Sequence, residues 1–411
     1  MITPQIENSI LNQGSSSEFK HYRIVHLSKY YPPDRGGIES YIQTLARTQS
    51  LLGADVHVLC VNTFGQNKEA LTTRTHTDHE LDMGVKVTRV GRIFSLMRFD
   101  FCRGLSNEIH NLIKEPNTIL HLHTPNPTML FALSVLLSVK KDIPLVITHH
   151  SDIIKQKILK FAVRPLEYYI YQKSSLTLAT SSNYIEGSKF LRAFRQKLNY
   201  APLVSDIDKY KKPHKNAIEF GQSLKEKYGD TIWVSVGRLV YYKGLNIAIQ
   251  ALQKVRGTLI IIGIGPLEKE LKTLVKNLGL ENRVVWLGNL TEDELIGAYY
   301  AATALWFPSN ARSEAFGLVQ VEAMACGCPV INTNIASSGV PWVSRHEKEA
   351  LTVALNDPIA FANAANRLLS EPNLRDRLSI AGQKRSDDFS CLNVTRRIFN
   401  FYGEVLSQKS Y

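Results

Sequence analysis

The chain has 411 residues, 44% of them hydrophobic and 21% charged, a composition that fits a folded globular protein of two or three domains at roughly 150 residues each. No apolar run reaches the roughly 18–20 residues that a membrane-spanning helix needs: the longest candidate, Met129–Val139, is short and interrupted by Ser134 and Ser138. Five cysteines without a repeated spacing exclude a disulfide framework, and the pair Cys326/Cys328 lacks a second pair to complete a zinc site. The net charge of +12 points to an anionic partner. Nine of the cations fall between Ile153 and Tyr200, with Glu167 and Glu186 the only acids there, so the surplus is concentrated.

Residues 1–20, rich in Ser, Asn and Gln and lacking the apolar stretch of a secretory signal, read as a disordered leader of a cytoplasmic chain. Tyr22–Leu27 then predicts a strand, Ser28–Gly37 a Gly-bearing loop and Ile38–Leu52 a helix. Further strands are expected at Val56–Val61, Val85–Val90, Ile119–His123 and Leu145–His149, with helical patterns between most of them. Around Leu203–Lys215 no apolar periodicity is visible, and the domain boundary is placed there. The alternation restarts with strands at Ile232–Val236, Thr258–Gly263, Val284–Leu287, Ala304–Pro308 and Pro329–Asn332, and helices from Gly244, Pro266, Glu292 and over Phe316–Cys326. Ser390–Leu406 closes the chain as an amphipathic helix. Such alternation predicts two α/β units with parallel sheets, whose ligands lie beyond the carboxyl ends of the strands.

The clearest constellation is Ser313–Ala325, where Glu314 stands just before a helix and Glu322 two turns inside it. Eight helical residues rise about 12 Å, comparable to the separation of the two sugars in a nucleotide-sugar. Carboxylates accept from hydroxyls, and the backbone N–H groups of Phe316, Gly317 and Leu318 at the helix start favour phosphate oxygens. The same spacing fits an amphipathic helix with two solvated glutamates. Arg238 and Lys243 follow a buried strand and suit the charge of a departing diphosphate, although surface cations of a βα loop read the same way. Gly36 and Gly37 open the first helix of the amino-terminal unit, and Gly263/Gly265 lack the third glycine of a dinucleotide fingerprint. His150, at a strand end, suits a sugar hydroxyl or a phosphate, with Asp152 as a cap or ring partner. His121/His123 and His149/His150 do not offer three ligands from one element, and Asp206/Asp208 fit a polar turn, so no metal is expected.

Together the Gly-Gly-Ile-Glu turn at 36–39, Val-Gly-Arg-Leu with Lys-Gly over 236–244, Ile-Gly-Ile-Gly-Pro at 262–266 and Glu-x7-Glu followed by Cys-Gly-Cys-Pro-Val to residue 330 resemble the retaining family 4 glycosyltransferases of the GT-B architecture. The resemblance runs from about Tyr22 to Tyr402. It implies an acceptor-binding Rossmann-like domain over 21–205, a nucleotide-sugar-binding one over 206–385, sheets facing across a cleft, and a carboxy-terminal helix over 386–411 that packs back on the first domain. Glu314 would contact donor-sugar hydroxyls, Glu322 the ribose, Arg238 and Lys243 the diphosphate, Gly37 the same diphosphate, and His150 the transferred sugar. His150–Ile153 and Ser338–Val343 are similar to transferases of bacterial O-antigen, capsule and exopolysaccharide assembly, often with mannose from GDP. The sequence departs from the family at Val204–Ser205, where a glycine is usual after Pro-Leu, and at Ala350–Leu351, where Gly-Leu is usual.

The resemblance therefore implies a hexosyltransferase, mannose from GDP-mannose favoured, acting on a lipid-diphosphate-linked saccharide at the inner face of the membrane. It needs no metal or other cofactor and binds no nucleic acid. Retention without a protein nucleophile suits front-face attack, in which the leaving phosphate takes the acceptor proton. The basic stretch, Lys155, Lys157, Lys160 and Arg164 included, would dock on anionic lipid. Alternatives are a UDP-sugar transferase, a GT-B sugar-nucleotide epimerase, and a nucleic-acid binder suggested by charge alone, for which no reader module is present.

Overall fold

A computed structural model describes residues 18–34, 36–63, 75–96, 99–139, 143–151 and 157–408. It divides into unit 1, Met1–Val204 with Cys391–Tyr411, and unit 2, Ser205–Ser390. The chain thus changes unit after Val204 and at Cys391, against the expected boundaries at 205/206 and 386.

Unit 1 is built on an eight-stranded sheet: β1 (Arg23–Leu27), β2 (Asp55–Val61), β3 (Asp78–Asp82), β4 (Val85–Val90), β7 (Thr118–Thr124), β8 (Leu145–His149), β9 (Leu176–Ala179) and β10 (Leu198–Tyr200), in the order β10-β9-β8-β7-β1-β2-β4-β3. β5 (Arg92–Leu96) and β6 (Phe99–Cys102) form a separate hairpin. All pairings of the main sheet are parallel except β3 with β4. The central strands are buried along most of their length, as sheets covered on both faces require. Two antiparallel features depart from the expected parallel sheets. The edge strand β3 (DHELD) is largely exposed and carries no apolar alternation, and the hairpin turns its apolar side chains outward.

Unit 2 carries six parallel strands: β11 (Ile232–Val236), β12 (Thr258–Ile262), β13 (Val284–Gly288), β14 (Ala304–Phe307), β15 (Val330–Thr333) and β16 (Ala350–Val353), ordered β13-β12-β11-β14-β15-β16. Its core is centred on Trp233 stacked against Trp306 at 5.0 Å, with Phe361 edge-on. The stretch 203–215, read as aperiodic, holds the short helix Asp208–Lys211 and leads into a second helix, Lys215–Tyr228. The longer one is mostly polar, and only Ala217, Gly221 and Leu224 are buried.

The final helix, Cys391–Ser407, buries Val394, Ile398, Phe399, Tyr402 and Val405 in the core of unit 1 at helical spacing. Phe19, expected inside a disordered leader, is buried there and stacks on Phe399 at 3.8 Å, which corrects the expectation for that residue. Residues 1–17 lie outside the described residues.

Candidate active site

In unit 2 the strand order reverses between β11, which leads outward to β12 and β13, and β14, which leads the other way to β15 and β16. This is the switch point at which open α/β sheets bind ligands. Both loops that leave it carry site residues. After β11 the chain runs through Gly237 and Arg238 into the turn Tyr241–Lys243, and after β14 through Ser309 to Glu314. Lys243 Nζ lies 2.6 Å from Glu314 Oε2, both side chains being about seven-eighths buried, and Ser309 Oγ donates to the same oxygen at 3.2 Å. The ammonium also sits 5.0 Å from the Phe307 ring centroid. Burial pushes the Tyr242 phenol up, and the Glu314 charge adds to it. Arg238 is exposed beside them.

Glycine makes this convergence possible. Gly244 has φ +61°, and a β-carbon there would lie 2.1 Å from Pro308 O, so no other residue lets the two loops approach so closely. Asn310 N donates to Tyr242 O at 2.9 Å across the same contact. Gly263 and Gly265 have a packing role: β-carbons would strike Gly237 O and Leu239 N and O, which ties the loop after β12 to the Arg238 loop.

The helix expected over Phe316–Cys326 runs over Leu318–Ala325, with Gly317 left-handed at its N-cap and no side-chain cap. Glu314 therefore lies in a loop, and a helical rise does not describe its separation from Glu322. Glu314 faces Lys243. Glu322, inside the helix, accepts from Tyr299 OH at 3.0 Å; burial pushes its carboxyl up, opposed by Lys209 and that phenol. Phe316 is buried against Trp342 and Phe389, so only its backbone is available to a ligand. Gln320 fixes this helix start. Its Nε2 donates to Phe316 O and Val340 O, and its Oε1 accepts from Asn332 Nδ2 and Ser344 Oγ. The family departures are seated in the fold: Val204 is buried, Ser205 N donates to Phe389 O at 2.9 Å, and Ala350–Leu351 are buried in β16.

Unit 1 has its own switch point, between β1 and β7. Gly36 precedes the helix Gly37–Leu51, whose N-cap lacks a side-chain partner. His150 follows β8 and is buried; its ring is edge-on to Tyr41, and burial lowers its pKa to about 3. Parallel register sets His26 of β1 beside His121 of β7, so that three histidines converge from two strands, a grouping that spacing within single elements does not show: ring nitrogens of His26, His121 and His123 all lie within 4.8 Å of one another. Asp206 is buried and Asp208 starts a short helix. Asp152 and Lys155 lie outside the described residues, and Lys157, Lys160 and Arg164 fall on the helix Lys157–Lys173. Arg164 lies over the Phe190 ring at 3.7 Å.

Sequence reasoning missed Ser309, Tyr299, Gln320, His26 and Gln49. The polar Ser309 at the end of an apolar strand was the one available signal. Partners of the others come from distant segments.

Two Rossmann-like units, each with its switch point open to a loop cluster and the second lined by cations and carboxylates, define the GT-B architecture. Residues 35–186 match the family described as "Glycosyltransferase Family 4" and residues 216–385 that described as "Glycosyl transferases group 1". A D-rhamnosyltransferase of Pseudomonas aeruginosa is 31% identical over 364 residues, covering 88% of this chain and 91% of that protein. An O-antigen chain mannosyltransferase of Escherichia coli is 28% identical over 390 residues, covering 94% and 100%. The chain belongs to the family 4 glycosyltransferases. In fold it is similar to a sucrose-phosphate synthase of Thermosynechococcus elongatus (TM-score 0.74, 20% identity, 94% of this chain and 100% of that one). It is also similar to the Anabaena protein HepE in complex with UDP (TM-score 0.72, 22% identity, 93% and 100%).

Proposed function

We propose that the chain is a retaining hexosyltransferase that moves a manno-configured sugar, mannose from GDP-mannose foremost, onto a lipid-diphosphate-linked saccharide during assembly of a cell-surface polysaccharide such as an O-antigen. The observation that carries the reading is the pairing of Lys243 with Glu314 at the switch point of unit 2, with the exposed Arg238 near enough to act on the neighbouring Tyr242 phenol. The sugar class is supported by the two relatives, one transferring mannose and the other D-rhamnose, which is 6-deoxymannose.

In this reading the bond between the anomeric carbon and the β-phosphate oxygen breaks while the acceptor oxygen bonds to the same face of that carbon. The acceptor's proton passes to the leaving phosphate oxygen, and no metal takes part. Arg238 and Lys243 stabilise the charge that builds on the diphosphate. An incoming diphosphate competes with Glu314 for Lys243, and the released carboxylate accepts from donor-sugar hydroxyls. Glu322 takes the ribose, and the uncapped N–H groups at Gly317 and Leu318 face the phosphates. At the start of the first helix of unit 1 the space beside Gly37 is open, whereas the Glu39 carboxylate lies over Gly36, and a diphosphate there would displace it.

The acceptor's lipid calls for contact with an anionic bilayer. No helix among the described residues is long and apolar enough to cross a membrane. Support comes instead from an exposed apolar face of unit 1. Phe94 stacks on Phe101, Phe99 meets Phe131 edge-on, and Leu96, Val135 and Val139 are exposed around them. The basic stretch beyond Ile153 supplies charge for lipid headgroups.

The deciding experiment measures release of nucleoside diphosphate across GDP- and UDP-sugars with a lipid-diphosphate saccharide acceptor. Turnover with GDP-mannose above the others is expected. Turnover confined to UDP-sugars rejects the donor assignment, and conversion of the free donor into an epimer rejects the transferase chemistry.

A further inference from the structure

His26, His121, His123 and His150 are all buried, and burial holds each neutral: His26 is lowered to about 4, His150 to about 3, and the other two well below the usual value. A neutral imidazole has one N–H and one lone pair, so its partners fix where the proton sits. His150 Nε2 lies 3.1 Å from His123 Nδ1, and His123 Nε2 lies 3.0 Å from His26 Nδ1. His26 Nε2 is 2.7 Å from Gln49 Oε1, and Gln49 Nε2 is 3.3 Å from Tyr402 OH. Tyr402 OH is 2.6 Å from His121 Nδ1, whose Nε2 is 2.7 Å from Thr148 Oγ1. All six ring nitrogens of His26, His121 and His123 are thereby engaged, which leaves no lone pairs converging on a metal.

The direction of the line follows from its shortest link. A phenol is a stronger donor than a neutral imidazole N–H, and O–H donors make the shorter bonds, so at 2.6 Å Tyr402 donates to His121. Its oxygen then accepts Gln49 Nε2–H, which turns Gln49 Oε1 toward His26 Nε2–H. With its proton on Nε2, His26 accepts at Nδ1, so His123 donates from Nε2 and accepts at Nδ1, and His150 donates from Nε2. His150 Nδ1 has no hydrogen-bond partner among the described residues and keeps a lone pair.

We propose that Gln49, oriented by Tyr402, sets the tautomer of His150 through His26 and His123, so that His150 offers an acceptor nitrogen to a sugar hydroxyl and not a donor to a phosphate or carbonyl oxygen. The opposite amide orientation would reverse every link and give the opposite preference. Gln49, Tyr402, His26 and His123 are positioning residues, and the part played by the sugar rests on the proposed function.

The test uses full-length protein labelled with ¹⁵N-histidine, without substrate at neutral pH. Long-range ¹H–¹⁵N correlation spectra distinguish protonated from bare ring nitrogens, and His150 signals are assigned by their loss in His150→Asn. The expected spectrum has His150 with Nε2 protonated and Nδ1 bare. A protonated Nδ1 overturns the proposal, as does retention of a transition metal through dialysis with loss of the ring N–H signals. Gln49→Glu preserves the acceptor and the tautomer; Gln49→Met removes it, so that both tautomers appear, and turnover falls about tenfold for one lost hydrogen bond to the substrate. An unaltered His150 tautomer in folded Gln49→Met contradicts the proposal. Mixed tautomers with unaltered turnover leave the tautomer assignment standing and remove His150 from the sugar.

Discussion

The two switch points occupy the same topological place in their sheets and have opposite electrostatics. In unit 2, Lys243 and Glu314 form a mostly buried ion pair, with Arg238 exposed in the same loop as Lys243. In unit 1 the equivalent position is filled by four dry, neutral imidazoles. A charged pair that a ligand can divide suits an anionic diphosphate, whereas neutral rings fixed by hydrogen bonds suit an uncharged hydroxyl. Folding alone requires neither arrangement, and both place polar groups where apolar side chains would pack more cheaply.

The comparison breaks most easily at the charged site. Lys243→Ala and Glu314→Ala should each lower turnover by about a hundredfold or more while circular dichroism stays native, as for other groups that stabilise transition-state charge. Near-normal turnover in either variant removes that residue from the site. The neutral site is sharpened by pH. Unfolded histidines titrate near 6.5, whereas His26 and His150 titrate at about 4 and about 3. Between those values the unfolded state binds protons that the folded state refuses, so stability falls as pH drops below about 6.5. Each such imidazole contributes up to about 1.4 kcal/mol per pH unit. Asp55 and Asp82, held below the usual carboxylate value by Lys86, Arg23 and Arg47 against the effect of burial, lose their contribution only at lower pH. Thermal midpoints at pH 7.5, 6 and 5 should decline steadily; a flat profile contradicts the neutral histidine core.

Smaller effects probe the supports. Gly244→Ala forces a side chain into the left-handed region and against Pro308 O, and should cost about 1–3 kcal/mol in urea unfolding together with much of the activity. An unchanged midpoint contradicts the close approach of the two loops. Tyr299→Phe removes the donor to Glu322 and should raise the donor KM about threefold to tenfold with kcat little changed. A fall in kcat alone would assign Glu322 to the chemistry and not to binding.

Legibility in the sequence followed burial. β8 and β11 lie where the apolar runs predict them, because strands covered on both faces need continuous hydrophobic sequence. β3, the hairpin and the helix Lys215–Tyr228 were invisible, since each has an exposed face or edge and little apolar periodicity. The same division runs through the sites. Lys243 was readable because it lies in the loop after a buried strand, and Glu314 because it stands just before a helical pattern, each signal being local to one βα loop. The histidine line was not, because its links join residues such as His26 and His123, 97 positions apart, through the register of β1 with β7. No local pattern encodes that register, and a histidine inside a strand reads as an isolated polar residue.

The most direct test of the central claim is calorimetric titration of GDP into the wild-type protein and into Lys243→Ala. Saturable binding by the wild type, weakened at least tenfold in the variant, is the predicted result. Absence of affinity for GDP, UDP and ADP alike in folded wild-type protein would contradict a diphosphate site at the β11/β14 switch point.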